Sequence, residues 1–280
     1  VLWSVDLPVP AADATDVELR NLVATAARAY AIAAGTLQGP VKGPVHLNLP
    51  FRKPLEPATL DELDQLPRAA NVPVIRAGHV APDAATVAEL THAVDAAPRG
   101  LIVCGPCCPG GDFPAAVTDL ARRTSYPIMA DPLSGVRYGL HAEDAPVCGA
   151  YESFLNTREP GWPDPEVILR FGAVPTSKWL NAYLERVDTP ARVHVRADGA
   201  WADEAHQTTH FVQADEAAFC RDLSKNVTSA PDTAWTGAIM AAERHACAVA
   251  AEYFDAQPFD GSVMAALVDA LPAGAHLFVG

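Results

Sequence analysis

Apolar segments alternate with amphipathic segments along most of the chain. The apolar segments are four to eight residues long, which is typical of strands buried inside a sheet. The amphipathic segments repeat apolar residues every three or four positions, which is the spacing of a helix with one buried face. The predicted strands are 100–105, 126–132, 165–172 and 191–197, and the predicted helices are 86–97, 113–124 and 177–187. Such alternation predicts an α/β fold, a Rossmann-like parallel sheet covered by helices, over residues 76–225.

The flanking segments predict fewer elements. Residues 16–37 predict a helix capped by Asp16, and residues 43–51 predict a short strand bounded by prolines. Residues 59–75 are rich in proline and contain part of the short acidic helix predicted at 58–66, a composition typical of a linker. After residue 225, the pattern predicts a long helix at 234–254, a second helix at 261–271 and a strand at 275–280.

Composition excludes some classes of function. The 280 residues carry a formal net charge of −14, which disfavours nucleic-acid binding because phosphate backbones attract basic surfaces. The chain contains no apolar run of the length that spans a membrane. An acidic surface that is poor in lysine favours adaptation to a salt-rich cytoplasm, where self-repulsion is screened. The six cysteines form no regular framework and no signal peptide precedes them, so we expect a reducing, cytoplasmic location.

The segment LIVCGPCCPGGD, residues 101–112, raises the possibility of thiol chemistry. Cys104-Gly-Pro-Cys107 has the spacing of thioredoxin-like dithiol centres, and Cys108 follows directly. A redox dithiol needs its first cysteine at a helix N-terminus, where the helix dipole lowers the pKa of the thiol. Here proline and glycine oppose a helix before about residue 112. We therefore predict a strand end and a turn, with Cys104 buried, and keep a thiol–disulfide oxidoreductase as the alternative.

No other motif identifies a catalytic centre. The cysteines and histidines lack the paired spacing of a zinc site, and the chain has neither a nucleophile elbow nor a glycine-rich nucleotide motif. We predict no catalytic, cofactor-binding or metal-binding residue within the chain. Ligands of open α/β sheets bind in the crevice at the carboxyl ends of the strands, so a nucleotide-binding α/β protein stays a second alternative. The residues predicted to line such a crevice are Gly105, Asp131, Arg137, Gly172 and Lys178.

Several segments resemble one enzyme family. GPVHLNLPFRKPLEP at 43–57 is similar to the end of the pyrimidine-binding domain of thiamine diphosphate enzymes, in the form found in 2-succinyl-5-enolpyruvyl-6-hydroxy-3-cyclohexene-1-carboxylate synthases (the MenD family). PIMADPLSGVR at 127–137 resembles the central domain of that family, as do YESFL at 151–155 and the segments 165–185 and 196–215. LPAGAHLFVG at 271–280 resembles the opening of the diphosphate-binding domain. The similarity is collinear along the chain.

The resemblance implies a domain organisation in which the chain is a fragment of a longer synthase. Its implied parts are the tail of the pyrimidine-binding domain (1–58), a linker (59–75), the central domain (76–225), a linker with a long helix (226–258) and the start of the diphosphate-binding domain (259–280). The cofactor-binding motifs of the family match no position of this chain. We therefore expect the chain alone to be an inactive scaffold that binds no cofactor, whose crevice could serve a regulatory ligand.

The resemblance also implies the chemistry of the full-length parent. That enzyme decarboxylates 2-oxoglutarate on thiamine diphosphate and adds the resulting carbanion to isochorismate. Its implied cofactors are thiamine diphosphate and Mg²⁺ or Mn²⁺, and its implied assembly is a homodimer or homotetramer. A late metabolite of the quinone pathway is the effector that the crevice would bind, and a crevice that is empty or filled by side chains is the simpler expectation.

Overall fold

The computed structural model forms two compact units. Residues 1–80 and 197–199 make the first unit, and residues 81–196 and 200–280 make the second. The described residues are 1–10, 15–37, 39–53, 71–156, 161–228, 232–256, 259–272, 275 and 277. Most of the predicted linker, all of the short helix at 58–66 and most of the strand at 275–280 lie outside them. The finer partition into five segments stays a prediction.

The first unit contains two strands and one helix: β1 (Trp3–Asp6), α1 (Asp16–Ala33) and β2 (Val45–Asn48). The two strands are parallel, with Trp3 opposite Val45. The helix forms where its apolar spacing predicts it, but the prediction that Asp16 caps it was wrong. Thr15 is the N-cap, because its hydroxyl accepts the Glu18 amide while the Glu18 carboxylate accepts the Thr15 amide at 2.7 Å. Asp16 is the first helical residue.

The second unit is built on one six-stranded sheet. In chain order its elements are α2 (Ala84–Asp95), β3 (Gly100–Cys104), α3 (Phe113–Thr124), β4 (Ile128–Ala130), β5 (Val147–Cys148), β6 (Val167–Phe171), α4 (Lys178–Arg186), β7 (Ala191–Val195), β8 (His210–Val212), α5 (Glu216–Asn226), α6 (Thr233–Ala256) and α7 (Asp260–Ala270). The strands lie in the order β5-β4-β3-β6-β7-β8, and every neighbouring pair is parallel. From β3 the chain runs outward to β5 and then returns to β6 on the other side. The switch point therefore lies between β3 and β6.

Helices cover both faces of this sheet, which confirms the predicted fold class. On one face, α2, α3 and α5 bury Leu90, Leu120 and Phe219 against alternate residues of the strands. On the other, α4 and α6 bury Tyr183 and Ile239. The central strand β3 is buried at every position, because it has helices above and below and strands on both sides. None of the described helices is both long enough and apolar enough to cross a membrane.

Candidate functional site

The loops that follow β3 and β6 meet at the switch point through their backbones. The Gly105 amide donates to the Phe171 carbonyl at 2.9 Å, and the Ala173 amide donates to the Pro106 carbonyl at 2.6 Å. A Cβ at Gly105 would lie 1.9 Å from the Ala173 carbonyl oxygen, and one at Gly172 would lie 2.5 Å from the Pro106 oxygen. The Gly105 and Ala173 amides are thus already hydrogen-bonded to protein carbonyls and are not available to a phosphate.

Asp131, which follows β4, joins the end of its strand to the loop after β6. Its side chain is fully buried. One carboxylate oxygen accepts the Thr176 amide at 2.7 Å and the Thr176 hydroxyl at 2.8 Å, and the other accepts the Leu133 amide at 2.9 Å. Both oxygens are therefore engaged in holding loops together, which is a structural task.

The two predicted crevice cations have separate partners. Arg137 donates from Nε to the Ala130 carbonyl at 2.9 Å, and its guanidinium carbon lies 5.5 Å from the ring centre of Tyr151. Burial raises the pKa of Tyr151 to about 12, against the opposing effect of Arg137. Lys178 is exposed at the start of α4, with its ammonium 5.0 Å from the ring of Trp179. The structure thus brings Gly105 and Gly172 into contact, whereas Arg137 and Lys178 are held by other groups. The effector crevice stays a prediction.

A row of basic side chains, which was not predicted from the sequence, lies on one face of β6 and β7. Arg170 lies opposite His194 in the register of β6 and β7, so both side chains are on one face. Arg170 donates to the Ala202 carbonyl at 3.1 Å and pairs with the buried Asp203 carboxylate at 3.4 Å. Arg192, on the same face of β7, donates to the carbonyls of Leu184 and Val187 and so caps the end of α4. The alternation Arg-Val-His-Val-Arg at 192–196 is the signal that could have revealed this row, because polar residues alternate there along a buried strand.

His194 links this row to the switch point. Its Nε2 lies 3.0 Å from the Gly172 carbonyl oxygen, and because a carbonyl only accepts, Nε2 carries the proton. Burial lowers the pKa of His194, and the nearby charges of Arg170 and Arg196 lower it further. Nδ1 is buried and has no hydrogen-bond partner among the described residues. His194 is therefore a neutral imidazole that fixes the position of Gly172.

The thiols of the CGPCC segment are arranged as the turn interpretation predicts. Cys104 is the last residue of β3 and fully buried, and burial together with the neighbouring Cys108 raises its pKa. Cys107 is exposed and has a φ of 61°, in the left-handed region. The next helix begins only at Phe113, so neither cysteine of the Cys-x-x-Cys pair lies at a helix N-terminus. The prediction of a buried Cys104 is confirmed, and the geometry that a thioredoxin-like centre requires is missing from this segment.

Among the described residues, no three or more His, Cys, Asp or Glu side chains are grouped so that they could hold a metal ion. The described side chains therefore do not fit a divalent cation.

Comparison with known proteins gives one consistent result. A family model described as the middle domain of thiamine pyrophosphate enzymes matches residues 70–279. A 2-succinyl-5-enolpyruvyl-6-hydroxy-3-cyclohexene-1-carboxylate synthase of Roseiflexus castenholzii is 46% identical over 99% of this chain and 48% of its own length. Synthases of the same name from Roseiflexus sp. RS-1 and Halorubrum lacusprofundi are 44% and 37% identical, each over 48% of its own length. The chain thus spans about half the length of the curated relatives it matches, and these relatives confirm the resemblance drawn from the sequence.

Two solved structures are similar at low identity. A thiamin diphosphate-dependent enzyme isolated from Mycobacterium smegmatis gives a TM-score of 0.47 at 20% identity, over 83% of this chain and 40% of that one. Benzoylformate decarboxylase from Polynucleobacter necessarius gives a TM-score of 0.46 at 18% identity, over 82% of this chain and 39% of that one.

Proposed function

Because the chain belongs to the family of thiamine pyrophosphate enzyme middle domains, we propose that it is the central part of a 2-succinyl-5-enolpyruvyl-6-hydroxy-3-cyclohexene-1-carboxylate synthase. One observation carries the proposal: 46% identity to such a synthase extends along 99% of this chain. The parent enzyme would decarboxylate 2-oxoglutarate and add the product carbanion to isochorismate, in menaquinone biosynthesis. Its proposed assembly is a homodimer or homotetramer.

In that enzyme this chain supplies rigid scaffolding. Thiamine diphosphate, bound with Mg²⁺ or Mn²⁺ by other parts of the parent, supplies the electron sink for decarboxylation. The residues described here position loops at the carboxyl edge of the sheet. Asp131 fixes the loop after β6 through Thr176, and His194 fixes the same loop through the Gly172 carbonyl. A scaffold of this kind holds neighbouring domains in a constant geometry, which reactions between two bound substrates require.

The first unit supports the same assignment. A two-stranded parallel sheet is seldom stable alone, because parallel sheets are usually covered on both faces. Beyond the ends of β1 and β2, an apolar groove of about 230 Å³ is lined by Leu7, Leu22 and Phe51 among others. We propose that the remainder of a pyrimidine-binding domain covers this groove in the parent enzyme.

The test replaces the matching half of the Roseiflexus castenholzii synthase with residues 1–280. The chimera is expected to form product from isochorismate and 2-oxoglutarate within about tenfold of the unmodified rate, a change in barrier of about 1.4 kcal/mol. A chimera that takes the same segment from the Halorubrum lacusprofundi synthase is the matched control for the exchange itself, and we expect it to be active. A folded chimera of residues 1–280 that binds thiamine diphosphate but consumes no isochorismate would contradict the proposal.

We propose further that the isolated chain has no synthase activity. The motifs by which the family holds its cofactor match no position among residues 1–280, so calorimetry with thiamine diphosphate and Mg²⁺ should show no tight binding. Isochorismate consumption by the purified chain, with 2-oxoglutarate and both cofactors present, would overturn this expectation.

A further inference from the structure

His194 is a buried titratable residue with basic residues beside it on two strands. Its side chain is inaccessible to solvent, and its Nε2 donates to the Gly172 carbonyl at 3.0 Å. Arg170 on β6 lies directly opposite it in the sheet register. Arg196 is two positions further along β7 and so lies on the same face. On the side of β8, the Phe211 ring packs edge-on against the imidazole, with 5.4 Å between the ring centres.

The carboxylate of Asp203 offsets part of this positive charge, but its oxygens are already engaged. Oδ2 accepts the Thr208 amide at 2.7 Å, and Oδ1 lies 3.4 Å from a guanidinium nitrogen of Arg170. Arg192, on the same face of β7, directs its guanidinium to two backbone carbonyls at the end of α4. A charged imidazole at position 194 would therefore add to the positive charge of this row.

Nδ1 is the atom of His194 that a second proton would occupy. It is buried and has no hydrogen-bond partner among the residues that the structure describes. A proton there would create a buried N–H donor without an acceptor, which is unfavourable in a protein interior. Movement of the imidazole toward solvent would hydrate this N–H and separate its charge from the guanidinium groups. The same movement would break the hydrogen bond from Nε2 to the Gly172 carbonyl.

We propose that acid releases the loop after β6, because protonation of His194 breaks its hydrogen bond to the Gly172 carbonyl. While neutral, His194 holds this loop against β7. The next residue of the loop, Ala173, donates its amide to the Pro106 carbonyl at 2.6 Å. Release of Gly172 therefore also weakens the contact between the two loops at the switch point. The proposal does not depend on which reaction the parent enzyme performs.

The pH range of the release follows from the charges around His194. Burial, followed by the charges of Arg170 and Arg196, lowers the pKa of His194 below its ordinary value of 6.5. The closed loop is therefore fully favoured above pH 6.5, and this contribution declines as the pH falls from 6.5 toward the lowered value. Because one proton is taken up, the closed-to-released ratio should fall by about tenfold per pH unit in this range. Asp203 acts at lower pH, since its pKa lies below 3.8.

The experiment follows hydrogen exchange of the 280-residue chain by NMR, from neutral pH to about pH 5, across the range in which histidine titrates. Rates are expressed as protection factors, which removes the intrinsic pH dependence of exchange. Protection of the Ala173 amide should fall by about tenfold per pH unit below the ordinary histidine value. The Ser134 amide, which donates to the Asp131 carbonyl at 2.9 Å in the loop after β4, is the internal control and should keep its protection.

Two glutamine variants assign the effect to one histidine. His194→Gln keeps an N–H donor for the Gly172 carbonyl but takes up no proton in this range, so Ala173 protection should become independent of pH. His210→Gln is the matched control, because His210 is an exposed histidine on the neighbouring strand whose Nε2 lies 3.3 Å from the Glu89 carboxylate. This variant should keep the pH dependence of the wild type. Circular dichroism checks that both variants are folded.

Nitrogen NMR of the imidazole tests the proposal in the wild-type chain without any substitution. At neutral pH we expect a proton on Nε2 of His194 and none on Nδ1. An Nδ1 that gains a proton while Ala173 keeps its protection would overturn the proposal. So would Ala173 protection that does not change with pH in the wild type, an equal decline in His194→Gln, or loss of the decline in His210→Gln.

Discussion

At the residue scale, Gly105 and Gly172 allow the two switch-point loops to touch. Gly172 also has a φ of 76°, where side chains with a Cβ are strained. The sequence marks both positions only as glycines after strands. Glycine is required at both positions because each lies against the backbone of the other loop. Backbone atoms cannot move aside as the end of a flexible side chain can.

We expect Gly105→Ala to lower the free energy of unfolding by about 1–3 kcal/mol, as overpacking of a close contact does. Gly110→Ala in the same segment is the control, because a Cβ there meets no atom within 4 Å and its φ is not positive. Urea denaturation of both variants measures the difference. Equal stability of the two variants would show that the loops separate at little cost.

Asp203 should make the free energy of unfolding depend on pH in the acidic range. Burial opposes its ionisation, but the hydrogen bonds from Thr208 and the charge of Arg170 outweigh burial and hold its pKa below the usual 3.8. A carboxyl with a lowered pKa stabilises the fold above the unfolded pKa, and this contribution is lost as the pH falls through the folded value. We expect Asp203→Asn to cost roughly 1.5–3 kcal/mol at neutral pH, as the loss of a charged hydrogen-bond acceptor does. The difference should shrink below about pH 4, and urea denaturation across pH measures it. A difference between variant and wild type that is constant with pH would contradict the assignment.

At the element scale, α6 is anchored to the segment that directly follows β5, at the edge of the sheet. Only the first half of this 24-residue helix carries buried side chains, of which Glu243 is the last. The Glu243 carboxylate accepts the Gly149 amide at 2.8 Å and the Ala150 amide at 2.9 Å, just after β5. A carboxylate on a helix thus accepts hydrogen bonds from the two residues that follow a short edge strand.

We expect Glu243→Ala to destabilise the protein by about 1.5–3 kcal/mol, because two backbone amides lose a charged acceptor. Glu252→Ala on the exposed part of the same helix is the control and should change the free energy by less than about 0.5 kcal/mol. Thermal unfolding and the rate of proteolysis within α6 measure both variants. Glu252→Ala as damaging as Glu243→Ala would refute the anchoring role.

Three strands were not predicted from the sequence, and all three are short. β5 and β8 contain two and three residues, and neither lies within an apolar run long enough to predict a strand. β1 was likewise not predicted, and its four residues pair only with β2. These strands form because a neighbouring strand offers them hydrogen-bond partners. Their own residues therefore carry no pattern from which a strand could be predicted.

At the scale of the whole molecule, charge is the dominant property. A net charge of −14 opposes the compact state through self-repulsion. Salt shortens the range of that repulsion from about 10 Å at 0.1 M to about 3 Å at 1 M. We therefore expect the melting temperature to rise steadily with potassium chloride over this range. Sucrose at matched water activity is the control for general exclusion effects. A melting temperature that does not respond to salt would contradict the proposal, made from the acidic and lysine-poor composition, that the protein is adapted to salt.

The sequence by itself determined the fold class and the four inner strands of the sheet, β3, β4, β6 and β7. Residues 100–104 are predicted and observed as a strand, because a continuous apolar run between turn residues can only be buried. It also determined the family, since the resemblance stated from segments such as PIMADPLSGVR holds along the chain. Local chemistry was enough to place Cys104 at a strand end, because proline and glycine prevent a helix there.

Only the tertiary structure decided how side chains from distant segments meet. Asp131 binds Thr176 and Glu243 binds Gly149 across 45 and 94 positions of sequence, and no local pattern encodes which carboxylate finds which amide. The strand order decided that the loops after β3 and β6 are neighbours, which brings Gly105 against the backbone of Ala173. Periodicity reports which face of an element is buried, but the partner on that face depends on the packing of the whole chain.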